Sequence, residues 1–100
     1  MSSRARLTED EITAALADLP EWSRDGDSIV RTADAADFPA AIRVVVAVAE
    51  QAEALDHHPD IDIRWRTLHF ALFTHSAGGL TSLDVTLAAR IDAALRAESA

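Results

Sequence analysis

The sequence predicts an α+β domain in which three helices cover one face of a four-stranded antiparallel sheet. Two observations carry this prediction. Apolar residues recur at helical spacing in three segments, and two pairs of short β-rich runs lie between those segments. The order is helix, two strands, helix, two strands, helix, and hairpin-type connections favour antiparallel pairing. A length of 100 residues predicts one domain spanning 1–100, with a core from about 7 to 97.

The first helix and hairpin are predicted from local signals. Thr8 and Glu11 have capping-box spacing, so a helix is expected over Glu9–Asp18, where Leu19-Pro20 ends it. Two short β-rich runs, 22–24 and 28–32, then flank an Asp-Gly pair. That arrangement is typical of a β-hairpin.

The second helix is predicted over Phe38–Leu55, with Asp37 as its cap and Pro39 in its first turn. A β-branched run inside it could form a strand, but eighteen residues without a breaker favour a helix. Its main stripe is expected to comprise Ile42, Val45, Val46, Ala49, Ala52 and Glu53, with Val44 and Val48 partly off it. A helix apolar around so much of its surface is expected to be covered on two sides, which suggests oligomerisation.

The second half of the chain begins where His57-His58-Pro59 breaks the helix. Alternating apolar residues predict a half-buried strand over 61–65, a tight connection near Arg66-Thr67, and another strand over 68–74. Thr81 and Asp84 again have capping spacing, so a last helix is expected to run to about Ala97. Its apolar stripe consists of Leu83, Leu87, Ala88, Ile91 and Leu95.

Composition excludes several classes of function. The formal net charge is −8, which repels phosphate backbones and argues against a nucleic-acid partner. There is no cysteine, so thiolate nucleophiles, disulfides and cysteine-based zinc sites are excluded. The start lacks the apolar core of a secretory signal, and the longest apolar stretch, 44–49, is too short for a membrane span. A cytoplasmic protein without membrane contact is expected.

Three histidines are candidates for chemistry because they lie at element ends, where functional groups tend to sit. His57 and His58 end the second helix, and His75 ends a strand before a glycine pair. Imidazole both gives and takes protons near neutral pH, so converging imidazoles would suit an elimination. Two alternatives stay open: histidines that merely complement the helix dipole, and a metal site completed by Asp84 or Glu53.

Other candidate residues have simpler explanations. Asp84 is accounted for as a carboxylate in the first turn of a helix, although it can also serve a site. Trp22 and Trp65 are of a type found more often in cores and interfaces than in ligand stacking. His69 lies in the middle of a strand, which favours a structural role.

Taken together, the motif Glu53-x-x-x-His57-His58-Pro59, followed by Trp65, His75 and Asp84, resembles the signature of pterin-4a-carbinolamine dehydratases. Trp22 and the Gly78-Gly79 pair match in order and spacing as well, so the resemblance extends from about residue 7 to 95. One departure is the stretch after His75, Ser76-Ala77-Gly78-Gly79, where animal members carry a cysteine.

The resemblance implies a hydro-lyase that converts 4a-hydroxytetrahydrobiopterin to quinonoid dihydrobiopterin in tetrahydrobiopterin recycling, with no metal or organic cofactor. It implies that His57 and His75 exchange protons with the pterin while His58 binds and orients it. Asp84 would support a histidine or the pterin, Glu53 would orient His57, and the two tryptophans would be supporting residues. The resemblance also implies a homodimer through the sheet or a homotetramer through the central helices. The alternative is a non-catalytic dimerisation or assembly module of the same fold.

Overall fold

The chain folds into three α-helices and one four-stranded sheet. A computed structural model describes residues 5–98. The helices are α1 (Glu9–Ala17), α2 (Phe38–Leu55) and α3 (Ser82–Ala97), and a 3₁₀ turn covers His75–Ala77. The strands are β1 (Ser23–Asp25), β2 (Ser28–Asp34), β3 (Asp60–Arg64) and β4 (Thr67–Leu72). Within residues 5–98 no helix is both long enough and apolar enough to cross a bilayer.

The four strands form one antiparallel sheet in the order β1-β2-β4-β3. Both hairpins therefore meet at β2 and β4, where Ile29 pairs with Leu72 and Thr32 pairs with His69. The element order and the antiparallel sheet confirm the predicted α+β class. Strands β1 and β3 form the two edges.

The core lies between one face of the sheet and the helices. In β4, Leu68, Phe70 and Leu72 have no exposed surface, whereas the intervening His69 is exposed on the opposite face. This alternation is the period-2 pattern of a strand with one buried side. The helices contribute Ile12 from α1, Val44 and Val48 from α2, and Leu87 and Ile91 from α3.

The predicted helix starts are confirmed by the cap contacts. Caps could be predicted because they involve only residues close together in the sequence. The Thr8 hydroxyl accepts from the Glu11 amide at 3.2 Å, and the Glu11 carboxylate accepts from the Thr8 amide at 2.8 Å. At α2, the Asp37 carboxylate accepts from the Ala40 amide at 2.8 Å. Each cap satisfies backbone donors that would otherwise lack a partner at the helix start.

The predicted faces of α2 are wrong in part. Val44 and Val48 are fully buried, whereas Ile42 and Val46 are 38% and 56% exposed. The helix is apolar on two sides, so its periodicity alone does not select the side that meets the sheet. The exposed side of α2 is apolar, which the hypothesis of oligomerisation through this helix requires.

The connection between β3 and β4 also differs from the prediction. Trp65 lies in the turn rather than in the strand, with φ of 57° and 71% of its surface exposed. Strand β4 ends at Leu72, and Thr74 makes only an isolated bridge to Gly79. His75 therefore begins a 3₁₀ turn instead of continuing the strand.

Candidate active site

The end of α2 sends its two histidines in different directions. Asp56 adopts a left-handed conformation, with φ of 49° and ψ of 46°. The His57 amide donates to the Ala52 carbonyl at 3.0 Å, and the Asp56 amide donates to the Glu53 carbonyl at 3.2 Å. These two bonds form a Schellman motif, which reverses the chain direction. As a result His57 is buried and His58 is exposed.

His57 packs against a carboxylate from the first turn of α3. Its Nε2 lies 2.5 Å from Asp84 Oδ1, and the imidazole is 6% exposed. Asp84 is the N3 residue of α3 and closes the capping box with Thr81. The same carboxylate thus caps a helix and orients a histidine, which joins the two roles that the sequence suggested for it.

His58 forms a separate, exposed pair. Its Nε2 lies 2.5 Å from Glu53 Oε2, and both side chains are largely open to solvent. The expectation that Glu53 orients His57 is therefore wrong, because the left-handed Asp56 turns His57 away from the helix. An exposed ion pair of this kind contributes little to the free energy of unfolding. Its effect is to fix the orientation of the His58 ring.

His75 lies at the start of the 3₁₀ turn, across from the end of α2. Its ring contacts Phe73 edge to face, with 4.8 Å between centroids and planes at 83°. The Gly78 amide closes the turn on the Thr74 carbonyl at 3.0 Å, and Gly78 has φ of 68°. A residue with a side chain would be strained at that φ, so glycine suits the position.

The three histidines border one open cleft of about 280 Å³. Its walls are formed by Asp56, His57, His58, Phe73, His75 and Ser76. The cleft is slightly smaller than most small-molecule sites, which fall between about 300 and 1,000 Å³. Imidazoles from the end of α2 and from the 3₁₀ turn line it, so one imidazole could accept a proton from a bound molecule while another donates one.

The two tryptophans lie outside this cleft. Trp22 is buried in the core, where its Nε1 donates to Asp92 Oδ1 at 2.8 Å. Trp65 stands on the β3–β4 turn, and the nearest described cation is the Arg66 guanidinium, 5.2 Å from the ring centroid. Neither ring lines the histidine cleft, so the supporting role expected for the two tryptophans stays a prediction.

Phe73 and Thr74 belong to the site although the sequence patterns did not single them out. Phe73 lines the cleft beside His75, and nothing in its local pattern marks it. Thr74 is buried, and its Oγ1 donates to Asp84 Oδ2 at 2.7 Å. A usable signal existed for Thr74: it continues the buried alternation of Leu68, Phe70 and Leu72, and a buried hydroxyl requires a partner.

Among residues 5–98 no group of three or more histidine and carboxylate side chains has the arrangement of a metal site. The Asp84–His57 contact is a buried pair, and the Glu53–His58 contact is an exposed one.

Comparison with known proteins gives a consistent result. A family model described as pterin 4 alpha carbinolamine dehydratase matches residues 5–94. A protein of Nocardia farcinica, provisionally named pterin-4-alpha-carbinolamine dehydratase, is 60% identical over 86 residues, covering 86% of this chain and 90% of that protein. One of Chloroflexus aurantiacus with the same provisional name is 56% identical over 87 residues, covering 87% and 94%.

Solved structures agree with the fold. The crystal structure of a transcriptional coactivator/pterin dehydratase from Brucella melitensis superposes with a TM-score of 0.87 at 35% identity, covering 90% of this chain and 98% of that one. A pterin dehydratase-like RuBisCO assembly factor of the alpha-carboxysome superposes with a TM-score of 0.61 at 17% identity, covering 74% and 86%. The second likeness concerns the fold alone.

Proposed function

The chain belongs to the pterin-4a-carbinolamine dehydratase family, and from this membership we propose that it is a hydro-lyase acting on 4a-hydroxytetrahydrobiopterin. The products are quinonoid dihydrobiopterin and water, and the reaction serves tetrahydrobiopterin recycling without a metal or organic cofactor. The observation that carries the proposal is the convergence of His57, His58 and His75 on one cleft, with Asp84 buried behind His57.

The elimination needs two proton transfers. The proton on N5 leaves to a base, the N5–C4a double bond forms, the C4a–O bond breaks, and an acid protonates the departing hydroxyl to give water. His57 and His75 carry these transfers, and they exchange roles between substrate stereoisomers that present the hydroxyl on opposite faces. Such positioned acid–base groups each contribute about 10²–10⁴-fold.

His58 binds and orients the pterin. Its ring is exposed at the mouth of the cleft and is held by Glu53. An imidazole fixed at the rim can donate to, or accept from, the polar edge of a pterin without taking part in proton transfer. Substitution of His58 is therefore expected to raise KM more than it lowers kcat.

The decisive experiment measures dehydration of freshly generated 4a-hydroxytetrahydropterin by wild type, His57→Ala and His75→Ala. Acceleration by wild type that falls about tenfold or more in either variant supports the proposal. His69→Ala is the matched control, because His69 is an exposed histidine that does not line the cleft. Chelator should leave the rate unchanged. A folded wild-type protein that gives no acceleration would refute the enzyme assignment.

We also propose that the chain assembles as a homodimer or homotetramer. The supporting feature is the apolar outer side of α2, where Phe38, Ile42 and Val46 are 47%, 38% and 56% exposed. Val46→Glu should lower the mass measured by light scattering after gel filtration. Thr13→Glu, an exposed position on α1, is the control, and an unchanged mass for Val46→Glu would contradict assembly through α2.

A non-catalytic binding module is the second candidate. The same apolar side of α2 supports it, together with the name of the Brucella melitensis structure, which pairs coactivator with pterin dehydratase. If binding is the function, His75→Ala should capture the same specific protein partner as wild type, and wild type should not accelerate dehydration.

A further inference from the structure

A chain of buried hydroxyl groups ends on the carboxylate behind His57. Asp84, Thr74 and Thr81 are each no more than 1% exposed. Asp84 Oδ2 accepts from the Thr81 amide at 2.9 Å and from the Thr74 hydroxyl at 2.7 Å, while Oδ1 meets His57 Nε2. Every contact of the carboxylate is therefore with a group able to donate.

The direction of the hydrogen bonds follows from counting protons. Each hydroxyl carries one proton, and an ionised carboxylate only accepts. The Thr74 proton is directed to Asp84, so the 2.9 Å contact between the two threonine hydroxyls must be donated by Thr81. Thr81 Oγ1 in turn accepts from the Leu83 amide at 3.2 Å. The donors run in one direction, from Thr81 through Thr74 to Asp84.

The same count fixes the tautomer of His57. Asp84 Oδ1 accepts, so Nε2 must carry a proton, and in the neutral imidazole Nδ1 must then hold the lone pair. Among residues 5–98 no hydrogen bond to Nδ1 is found, and no buried side-chain nitrogen in that range lacks a partner. Nδ1 therefore opens to the cleft that His57 lines.

We infer that Thr74 is a positioning residue, whose hydroxyl holds Asp84 so that His57 keeps its proton on Nε2 and, when it acts as the base, offers the Nδ1 lone pair to the substrate. For its consequence in catalysis, the inference rests on the proposed dehydratase function. The hydroxyl does not reach the cleft, because Thr74 is buried and acts through Asp84. Without the Thr74 donor, only the Thr81 amide still holds Oδ2 among the described contacts. The carboxylate is then free to turn away from Nε2, and the imidazole proton is no longer held there and can move to Nδ1.

The test compares Thr74→Val, which removes the hydroxyl at nearly constant shape, with Thr74→Ser, which keeps it. Nitrogen-15 NMR of the histidine rings should show Nδ1 of His57 unprotonated in wild type and in Thr74→Ser, and substantially protonated in Thr74→Val. We expect kcat of Thr74→Val to fall about tenfold, with KM within about twofold of wild type. Thr74→Ser should restore most of the rate.

Thr32→Val is the matched control, because Thr32 Oγ1 lies 2.7 Å from His69 Nδ1 on the exposed face of the sheet. It removes the same hydroxyl from a threonine–histidine pair, and it should change neither the His57 resonances nor kcat. If Thr74→Val does not fold, Thr74→Cys supplies a weak donor and should give an intermediate tautomer population.

Two results would overturn the inference: a protonated Nδ1 in wild-type His57, or a folded Thr74→Val with wild-type tautomer and kcat. A wild-type protein that shows no dehydratase activity would instead remove the proposed function. The tautomer measurement needs no substrate, so the two failures are distinguishable.

Discussion

Replacing Asp84 with asparagine or with alanine separates its role as a helix cap from its role in holding His57. The two substitutions remove different hydrogen bonds of the carboxylate. Asp84→Asn keeps the shape of the side chain. Its amide oxygen can take the place of Oδ2 and accept from Thr74 and from the Thr81 amide. The amide nitrogen then faces His57 Nε2 as a donor, so the imidazole must turn to the other tautomer. Asp84→Ala removes all three contacts.

The magnitudes follow from these contacts. Hydrogen bonds to charged groups contribute about 1.5–3 kcal/mol each, and neutral ones about 1 kcal/mol. At the lower end of that range, about 1.5 kcal/mol for each bond, Asp84→Ala loses three bonds and the free energy of unfolding should fall by about 4.5 kcal/mol. Asp84→Asn converts the same three bonds to neutral ones and should lose about 1.5 kcal/mol, which is about 6–12 °C in Tm for a domain of this length. The wrong tautomer should lower kcat of Asp84→Asn by about 10²–10³-fold.

Urea unfolding followed by far-ultraviolet circular dichroism, at one protein concentration, measures the first quantity, and the pterin assay measures the second. The expected pattern is an asparagine variant that is much more stable than the alanine variant and nearly as inactive. Equal destabilisation of both variants, or wild-type kcat in Asp84→Asn, would refute the reasoning.

Three further predictions concern the core, a turn and an exposed ion pair. Phe70→Ala, at a position with no exposed surface, should lower the free energy of unfolding by about 3–5 kcal/mol in urea, and a loss below about 1 kcal/mol would contradict the described core. Trp65→Gly should raise it by about 0.5–1 kcal/mol in thermal melts, because Trp65 has φ of 57° and glycine adopts that conformation without a steric penalty. A loss of stability would mean that the indole is buried in an assembly. The hydrogen bond from Arg24, and then its charge, lower the pKa of Glu9 below the ordinary value of 4.5. The stability from this pair is therefore present above the unfolded-state pKa and is lost as the pH falls through the folded-state pKa. Arg24→Gln should return the Glu9 pKa toward 4.5 in an NMR titration, and an unchanged value would refute the assigned cause.

The parts of the fold that depend on neighbouring residues were predictable from the sequence. Capping pairs such as Thr8 with Glu11 lie three residues apart, so one turn of helix determines their geometry. The buried side of α2 was not predictable in the same way. Both sides of that helix are apolar, and only contact with the sheet and α3 assigns Val44 to the core and Val46 to the surface. The turn after β3 was predicted one residue too late, near Arg66-Thr67, because its positive φ is carried by Trp65, and tryptophan rarely adopts that conformation.

The three histidines of the candidate site were predictable from the sequence, whereas the partner of each histidine was not. Spacing placed the three histidines at element ends, and the structure brings them to one cleft. Which carboxylate meets which imidazole depends on the direction of the chain after Asp56, and the left-handed conformation of that residue sends His57 to Asp84 and His58 to Glu53. A single backbone angle at a residue other than glycine thus decided the outcome.

The double use of Asp84 affects how relatives of this chain should be interpreted. A carboxylate that closes the first turn of α3 is under selection for folding whether or not the protein is an enzyme. Lineages that abandoned catalysis are therefore expected to retain Asp84 and Thr81. His75 makes its described ring contact with Phe73 at an exposed position, so folding gives little reason to keep it. Across an alignment, loss of the histidine at position 75 should mark proteins with a function other than catalysis. Presence of the aspartate should not distinguish enzymes from non-catalytic relatives.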